Sequence, residues 1–217
     1  MNKRFLTLLV IAALTAGYTN AQVTFGARAG VGFTDLMIKN KELDMTVNTS
    51  LRPGFQIGAL AEISIGKDSP MLNERESMAF LTGLLIASQG SEWEAMGMKQ
   101  TVKLTYLQVP ANIMARMNLS RMTFWAQVGP YLGFAVGGKN TVEIRGTKSE
   151  DKIKFGSGDD AYMKGFDLGV NVAFGLQFGN IQVGLGGNGG LLNLSNEKEM
   201  KMQNFGLSLN ATYLFGK

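Results

Sequence analysis

The stretch FDLGVNVAFGLQFG, Phe166 to Gly179, decides the fold. Phe166, Leu168, Val170, Val172, Phe174, Leu176 and Phe178 form one alternating set, large and apolar. Asp167, Gly169, Asn171, Ala173, Gly175 and Gln177 form the other, small or polar. A period of two is the signature of a strand with two unlike faces. The question is whether the apolar face meets a protein core or lipid. A soluble strand puts Lys, Glu, Thr or Arg on its second face, because that face meets water. Here the second face holds Gly, Ala, Asn and Gln with a single charge, Asp167. That is a poor soluble surface and a reasonable crowded interior, in which the apolar face points outward into hydrocarbon.

The same alternation recurs along the chain. It appears in Val23–Thr34, Phe55–Ile65, Val102–Met117, Met122–Val136, Ile181–Leu191 and Phe205–Phe215. Met78–Ser88 is strand-like but apolar on both faces. With the opening stretch these make eight segments of about the length a tilted membrane strand needs, ~9–11 residues. Polar connections at 35–52, 90–101, 138–165 and 193–203 are long. Those at 118–121 and Gly179-Asn180 are short, while 66–77 is intermediate. Long links on one side and short turns on the other are the layout of an outer-membrane barrel. The expected fold is therefore all-β, an eight-stranded antiparallel up-and-down transmembrane barrel. Its ladder must close, because no backbone group can go unpaired in lipid. The arms TVEIR and DKIKF of the 138–165 connection are expected to continue the fifth and sixth strands beyond the bilayer.

The N-terminus reads differently. MNKRFLTLLVIAALTAGYTNAQ has Lys3 and Arg4, an apolar run from Phe5 to Ala16, and small or polar residues before Ala21. This is the pattern of a secretory signal, residues 1–21, with the barrel domain covering 22–217. The apolar run falls short of the ~20 residues of a spanning helix. Removing Lys3 and Arg4 lowers the net charge from +4 to about +2, so the sequence offers no argument for nucleic acid.

The composition excludes much chemistry. There is no Cys and no His among 217 residues. Disulfides, thiolate nucleophiles, Ser–His pairs and the usual zinc ligands are thereby absent. GSGDD (156–160) falls far below a calcium-loop pattern, and GLGGNGG (184–190) lacks the Lys-Ser/Thr of a phosphate loop. Neither is taken as a site, and no catalytic, cofactor or metal residue is assigned. The pairs Met96/Met98 and Met200/Met202 fall in outer connections, where they pack the loops or form a contact surface. Trp125, Tyr131, Tyr106 and Tyr213 fit interfacial girdles or the lumen.

Four charges fall on small-polar faces: Arg28, Glu62, Arg116 and Asp167. They sum to zero, and charges in a low-dielectric interior need partners. The expectation is an interior ion-pair and hydrogen-bond network that plugs the barrel, with Arg28 or Arg116 as the partner of Asp167. Eight strands leave an interior just wide enough for side chains, which disfavours a channel.

At family level the chain resembles the PorT-like outer-membrane barrels of Gram-negative bacteria. TYLQVPANIMARMN is similar to their YLEIPxxxK strand, and VGPYLGFAVGGK to their GPYxGxxxGGK strand. FDLGVNVAFGLQFGNIQVGLGGNGGLLNLSN resembles their DFGxxxGxGxEF hairpin with its GLxNI segment. VTFGARAGVGFTDL and NFGLSLNATYLF resemble the first and last strands. Gln108 and Gly83 stand where relatives carry acids, and the chain ends in YLFGK rather than on the aromatic residue. The resemblance implies an eight-stranded barrel, and some relatives assist secretion or surface assembly. The expected protein is a non-enzymatic integral protein of the cell outer membrane, reached by secretion across the inner membrane. Its expected partners are outer-membrane lipid, the barrel-assembly machinery during biogenesis, and envelope or secretion proteins, with no cofactor. Three rival readings remain beside it: a passive pore, a membrane-embedded lipid enzyme, and a soluble secreted ligand-binding barrel.

Overall fold

A computed structural model describes residues 22–40, 45–47, 50–65, 75–95, 97–156, 161–197 and 199–216. The expected signal segment lies outside them. Ten strands occur in chain order. They are β1 (Val23–Asn40), β2 (Met45–Val47), β3 (Arg52–Ile65), β4 (Glu76–Ala95), β5 (Met98–Asn118), β6 (Thr123–Ile144), β7 (Thr147–Lys152), β8 (Phe166–Phe178), β9 (Ile181–Gly190) and β10 (Met200–Leu214). Eight of them, β1-β3-β4-β5-β6-β8-β9-β10, pair antiparallel in that order. The ring closes where β10 pairs with β1, from Gly26 opposite Leu214 to Asn40 opposite Met200. The short β2 and β7 hang on β1 and β6 outside the ring.

The faces divide as the alternation dictates. On β8, Phe166, Val170, Val172, Phe174, Leu176 and Phe178 are exposed, while Asp167, Ala173 and Gln177 are buried. The exposed row continues round the wall through Phe25, Val31, Phe33, Phe55, Ile57, Leu84, Ile86, Ile113, Val128, Leu132, Leu185 and Leu209. A belt of this kind is unsuited to water and suited to hydrocarbon, which sets the soluble reading aside. On β5 the outward row from Leu107 to Met117 runs about 34 Å along the strand at about 3.4 Å per residue. A tilt of about 45° turns that into roughly 24 Å of height, close to the apolar band of such barrels.

The strands outrun the sequence reading at one end only. β4 and β5 meet near Gly97, so most of the expected loop 90–101 is a continuing hairpin. β6 runs to Ile144, and the left-handed pair Arg145-Gly146 (φ 49° and 86°) turns it back into β7. TVEIR thus extends the fifth barrel strand as expected. Asp151-Lys152 of DKIKF instead belongs to β7, a separate strand rather than an extension of the sixth. The reason is physical. Above the membrane the outer face meets water, so the apolar period of two disappears while the backbone ladder carries on. At the opposite end the described links at 119–122 and 179–180 are short, with Gly179 at φ 55°, while 66–74 lie outside the described residues. By this asymmetry the extended end is the outer one.

The lumen is packed rather than open. Gly175 and Gly184 face the ring of Trp125, and Gly169 faces that of Tyr131, so a Cβ on any of the three would collide with an aromatic ring. Toward the short-turn end, Leu60, Ala79, Leu81, Leu85, Met114, Trp125 and Ala173 form an apolar cluster. This also settles β4, whose Ala79, Leu81, Leu85 and Ala87 point inward while Leu84 and Ile86 point out.

Candidate functional site

Parity carries all four interior charges into the lumen. Arg28, Glu62, Arg116 and Asp167 are each less than a tenth exposed. Glu62 and Arg116 form a buried ion pair near the short-turn end. The amide of Gln182 donates to the second Glu62 oxygen at 2.8 Å and also reaches Gln177 Oε1 at 3.2 Å. Arg28 Nε donates to Thr212 Oγ1 at 3.0 Å, and its charge interacts with that of Glu62. Above this layer, uncharged amides pair across the lumen. Gln56 donates to Asn210, and Asn112 donates to Asn171 at 2.6 Å.

Asp167 departs from expectation, for neither Arg28 nor Arg116 is its partner. Tyr131 donates its hydroxyl to Asp167 Oδ2 at 2.9 Å, and Asn204 its amide at 2.8 Å. The register explains why. Asp167 lies opposite Gly133, whose β5 partner is Gln108, eight residues along the strand from Arg116. Asn204 lies opposite Leu36, which is eight residues from Arg28. Eight residues of strand are about 26 Å, so Asp167 sits at the outer end and the arginines nearer the other. The sequence signal for its true partners is parity. Tyr131 shares the inward face of β6 with Trp125 and Gln127, and Asn204 is the residue just before the recognised Phe205–Phe215 strand.

Three of the four aromatics named from sequence face inward: Tyr106, Trp125 and Tyr131 are buried. Tyr213 is half exposed and packs edge-on against Phe215 at 5.4 Å, as an interfacial pair would.

The outer mouth is closed by a second apolar cluster, in which Leu36, Leu104, Tyr106 and Met202 meet Ile153, Met163 and Leu194 from the outer loops. The loops are tied to one another: Lys164 N–H donates to Leu194 C=O at 2.8 Å, and the Asn196 side-chain Nδ2 donates to Ala161 C=O at 2.7 Å. Above this floor an apolar cleft of about 370 Å³ faces outward, lined by Leu36, Trp93, Met98, Tyr162, Met200 and Met202, with Gln100 as a polar contact. Met98, Met200 and Met202 thus converge on one cleft, while Met96 lies outside the described residues, as do Asp159 and Asp160 of the GSGDD segment. Trp93 carries no signal of its own in the sequence, since it lies in the polar 90–101 connection outside the apolar alternation. Among the described residues no group of His, Cys, Asp or Glu is placed to hold a metal ion.

An outward apolar belt, a closed ladder and a filled lumen define a small integral membrane β-barrel, stoppered inside and open to contact at its outer end. The family described as "Outer membrane protein beta-barrel domain" matches residues 19–198, and the chain belongs to it. Its place is accordingly the outer membrane. Among curated protein sequences none matches significantly. Among solved structures, the outer membrane enzyme PagL is similar over 87% of this chain and 98% of its own, at 13% identity and a TM-score of 0.50. Neisserial surface protein A (NspA) matches over 88% and 98%, at 10% identity and a TM-score of 0.41. Ail, the attachment invasion locus protein of Yersinia pestis, matches over 88% and 98%, at 14% and 0.36. At such identities the likeness is one of fold.

Proposed function

We propose that this chain is a non-enzymatic outer-membrane protein of PorT-like type that works through its extracellular end, as a binding element for an envelope or secretion protein. The observation that carries the reading is the contrast between the two parts of the lumen. Below, the barrel is filled by the Glu62–Arg116 pair and the cluster around Trp125. Above, Trp93, Tyr162 and three methionines line an outward cleft large enough for one or two apolar side chains of a partner. Methionines suit such a role because their flexible thioethers repack around varied apolar shapes. The chain reaches the outer membrane by a cleaved signal at 1–21 and is inserted by the barrel-assembly machinery.

The non-enzymatic part rests on the absence of His and Cys, which removes the usual bases and thiol nucleophiles. PagL is named as an enzyme, and that belongs to PagL. Two experiments test the reading. A photo-reactive amino acid at Tyr162 in living cells is expected to give a discrete protein adduct, which Trp93→Ala/Met200→Ala suppresses, while the same probe at lipid-facing Leu132 gives none. No adduct at the mouth, or lipid turnover by the pure barrel, sinks the proposal.

A further inference from the structure

The outer wall carries a second feature that the binding role leaves unused. Lys103 on β5 lies directly opposite Lys139 on β6, and Lys139 lies directly opposite Lys152 on β7. Residues opposite one another in an antiparallel ladder share a face, with Cβ atoms about 5 Å apart, and like charges so placed repel. All three side chains are exposed. The neighbouring Leu104 is buried in the lumen, so the alternation turns Lys103 outward.

Beside this row the wall is hollowed by a polar concavity of about 410 Å³, lined by Arg52, Lys99, Lys103 and Lys148, with Thr101 and Thr141 between them. Glu92 and Glu143 also line it. Three nearby acids are already paired, Glu92 with Lys99, Glu143 with Lys148 and Glu150 with Lys139, and Glu94 stands opposite Lys99. The six cations Arg52, Lys99, Lys103, Lys139, Lys148 and Lys152 still outnumber these four acids. Among the described residues Lys103 and Lys152 have no carboxylate at ion-pairing distance. The patch therefore holds an unneutralised positive surplus on a built, concave surface.

Its height identifies the counter-charge. Lys103 stands four residues beyond Leu107, where the apolar row of β5 ends. Four residues are about 13 Å along the strand, or roughly 9–10 Å of height at a 45° tilt. That is the headgroup layer above the hydrocarbon. Just below lie exposed Phe134 and Val136, an apolar wall against which acyl chains can pack.

We propose that the Lys103–Lys139–Lys152 row and its concavity bind the phosphorylated sugar headgroup of an outer-leaflet lipid. The free ammonium groups of Lys103 and Lys152 take the phosphates, Lys139 between them adds its charge while paired with Glu150, and the hydroxyls of Thr101 and Thr141 take sugar hydroxyls. The belt below takes the acyl chains. This continuity of cations and apolar wall favours a membrane lipid over a free anion.

The test uses the full mature barrel in detergent, with bound lipids counted by native mass spectrometry. The probes are bisphosphorylated lipid A, the same lipid with its phosphates removed, and phosphatidylcholine. Wild type is expected to retain lipid A selectively, less so as salt rises. A basic side chain near an anionic surface contributes a factor of about five, so K103Q/K139Q/K152Q should weaken retention about a hundredfold. A folded triple variant still shows heat-dependent gel mobility. If it fails to assemble, K103Q alone should still weaken retention about fivefold. The pair K39Q/K201Q, which removes facing lysines of β1 and β10, should leave retention unchanged. Equal retention of the dephosphorylated lipid, displacement of lipid A by excess inorganic phosphate, or equal loss in K39Q/K201Q each overturns the proposal.

Discussion

At the scale of single residues the lumen is governed by burial without water. Glu62 and Arg116 are both almost fully enclosed, so their attraction serves mainly to offset what each loses in hydration. Removing one partner therefore costs far more than removing both. Arg116→Met should destabilise the refolded barrel by about 3–5 kcal/mol, leaving Glu62 with the Gln182 amide as its hydrogen-bond donor and Arg28 as a more distant charge. Glu62→Gln/Arg116→Met should recover most of that loss, read as urea midpoints in vesicles. A double variant as unstable as the single would show that the pair contributes more than charge compensation. Gly169 and Gly175 of FDLGVNVAFGLQFG obey a steric rule. At Gly175 an added Cβ meets both the Trp125 ring and the carbonyl of Val183, neither of which can yield cheaply. Gly175→Val should cost about 1–3 kcal/mol by overpacking; an unchanged midpoint would mean that Trp125 is less firmly seated than its burial implies.

At the scale of elements, β7 stands out because it pairs with β6 alone. All six of its residues are exposed, so no apolar contact secures it. Its attachment depends on the ladder and on charges such as Glu150, whose hydrogen bond and ion pair with Lys139 hold its carboxyl below the usual range. A depressed carboxylate contributes stability that is present above its unfolded value, about 4.3, and is lost as pH falls through the folded value. Lys99 behaves in the opposite sense. Its hydrogen bond to Glu92 raises it, so its contribution is complete below the unfolded lysine value, about 10.4, and is lost only as pH rises through the folded one. Acidification below about pH 4 should therefore lower amide-exchange protection in Thr147–Lys152 while β5 and the membrane part of β6 keep theirs. Equal loss across all three strands would contradict this local account. The same contrast explains what the sequence disclosed. Inside the bilayer one face must be apolar, so period two marks seven of the eight barrel strands, all but β4 whose two faces are both apolar, and places Arg28, Glu62, Arg116 and Asp167 in the lumen. Beyond it no such pressure acts: the outer ends of β4 and β5 read as loop, and of the 138–165 connection the arms TVEIR and DKIKF read as strand, without the turn at Arg145-Gly146 that makes β7 a separate strand. The pairing of Asp167 with Tyr131 and Asn204 was hidden for another reason: parity fixes a residue's face, but only register fixes its height.

At the scale of the whole molecule the question is whether eight strands enclose a path. A barrel of this size has an interior that side chains can fill, and here they do so in layers. The Glu62–Arg116 pair and the glutamines share the first level with Leu81 and Trp125, which lie opposite Glu62 and Arg116 in the ladder; then come the cross-lumen amides, then Asp167 with Tyr131 and Asn204, and last the apolar mouth. Between them the two deeper cavities hold only about 30 and 50 Å³, space for isolated water molecules rather than a column. An ion crossing the Trp125 level would have to shed its hydration against apolar side chains and an ion pair whose charges are already matched. The refolded protein should therefore give no steady conductance in planar bilayers at either polarity. Trp125→Ala/Leu81→Ala thins that layer without touching the wall, and so should admit leak events before any substitution at the outer mouth does. Steady unitary steps from the unmodified barrel would mean that the layers open together, and would return the passive-pore reading to first place.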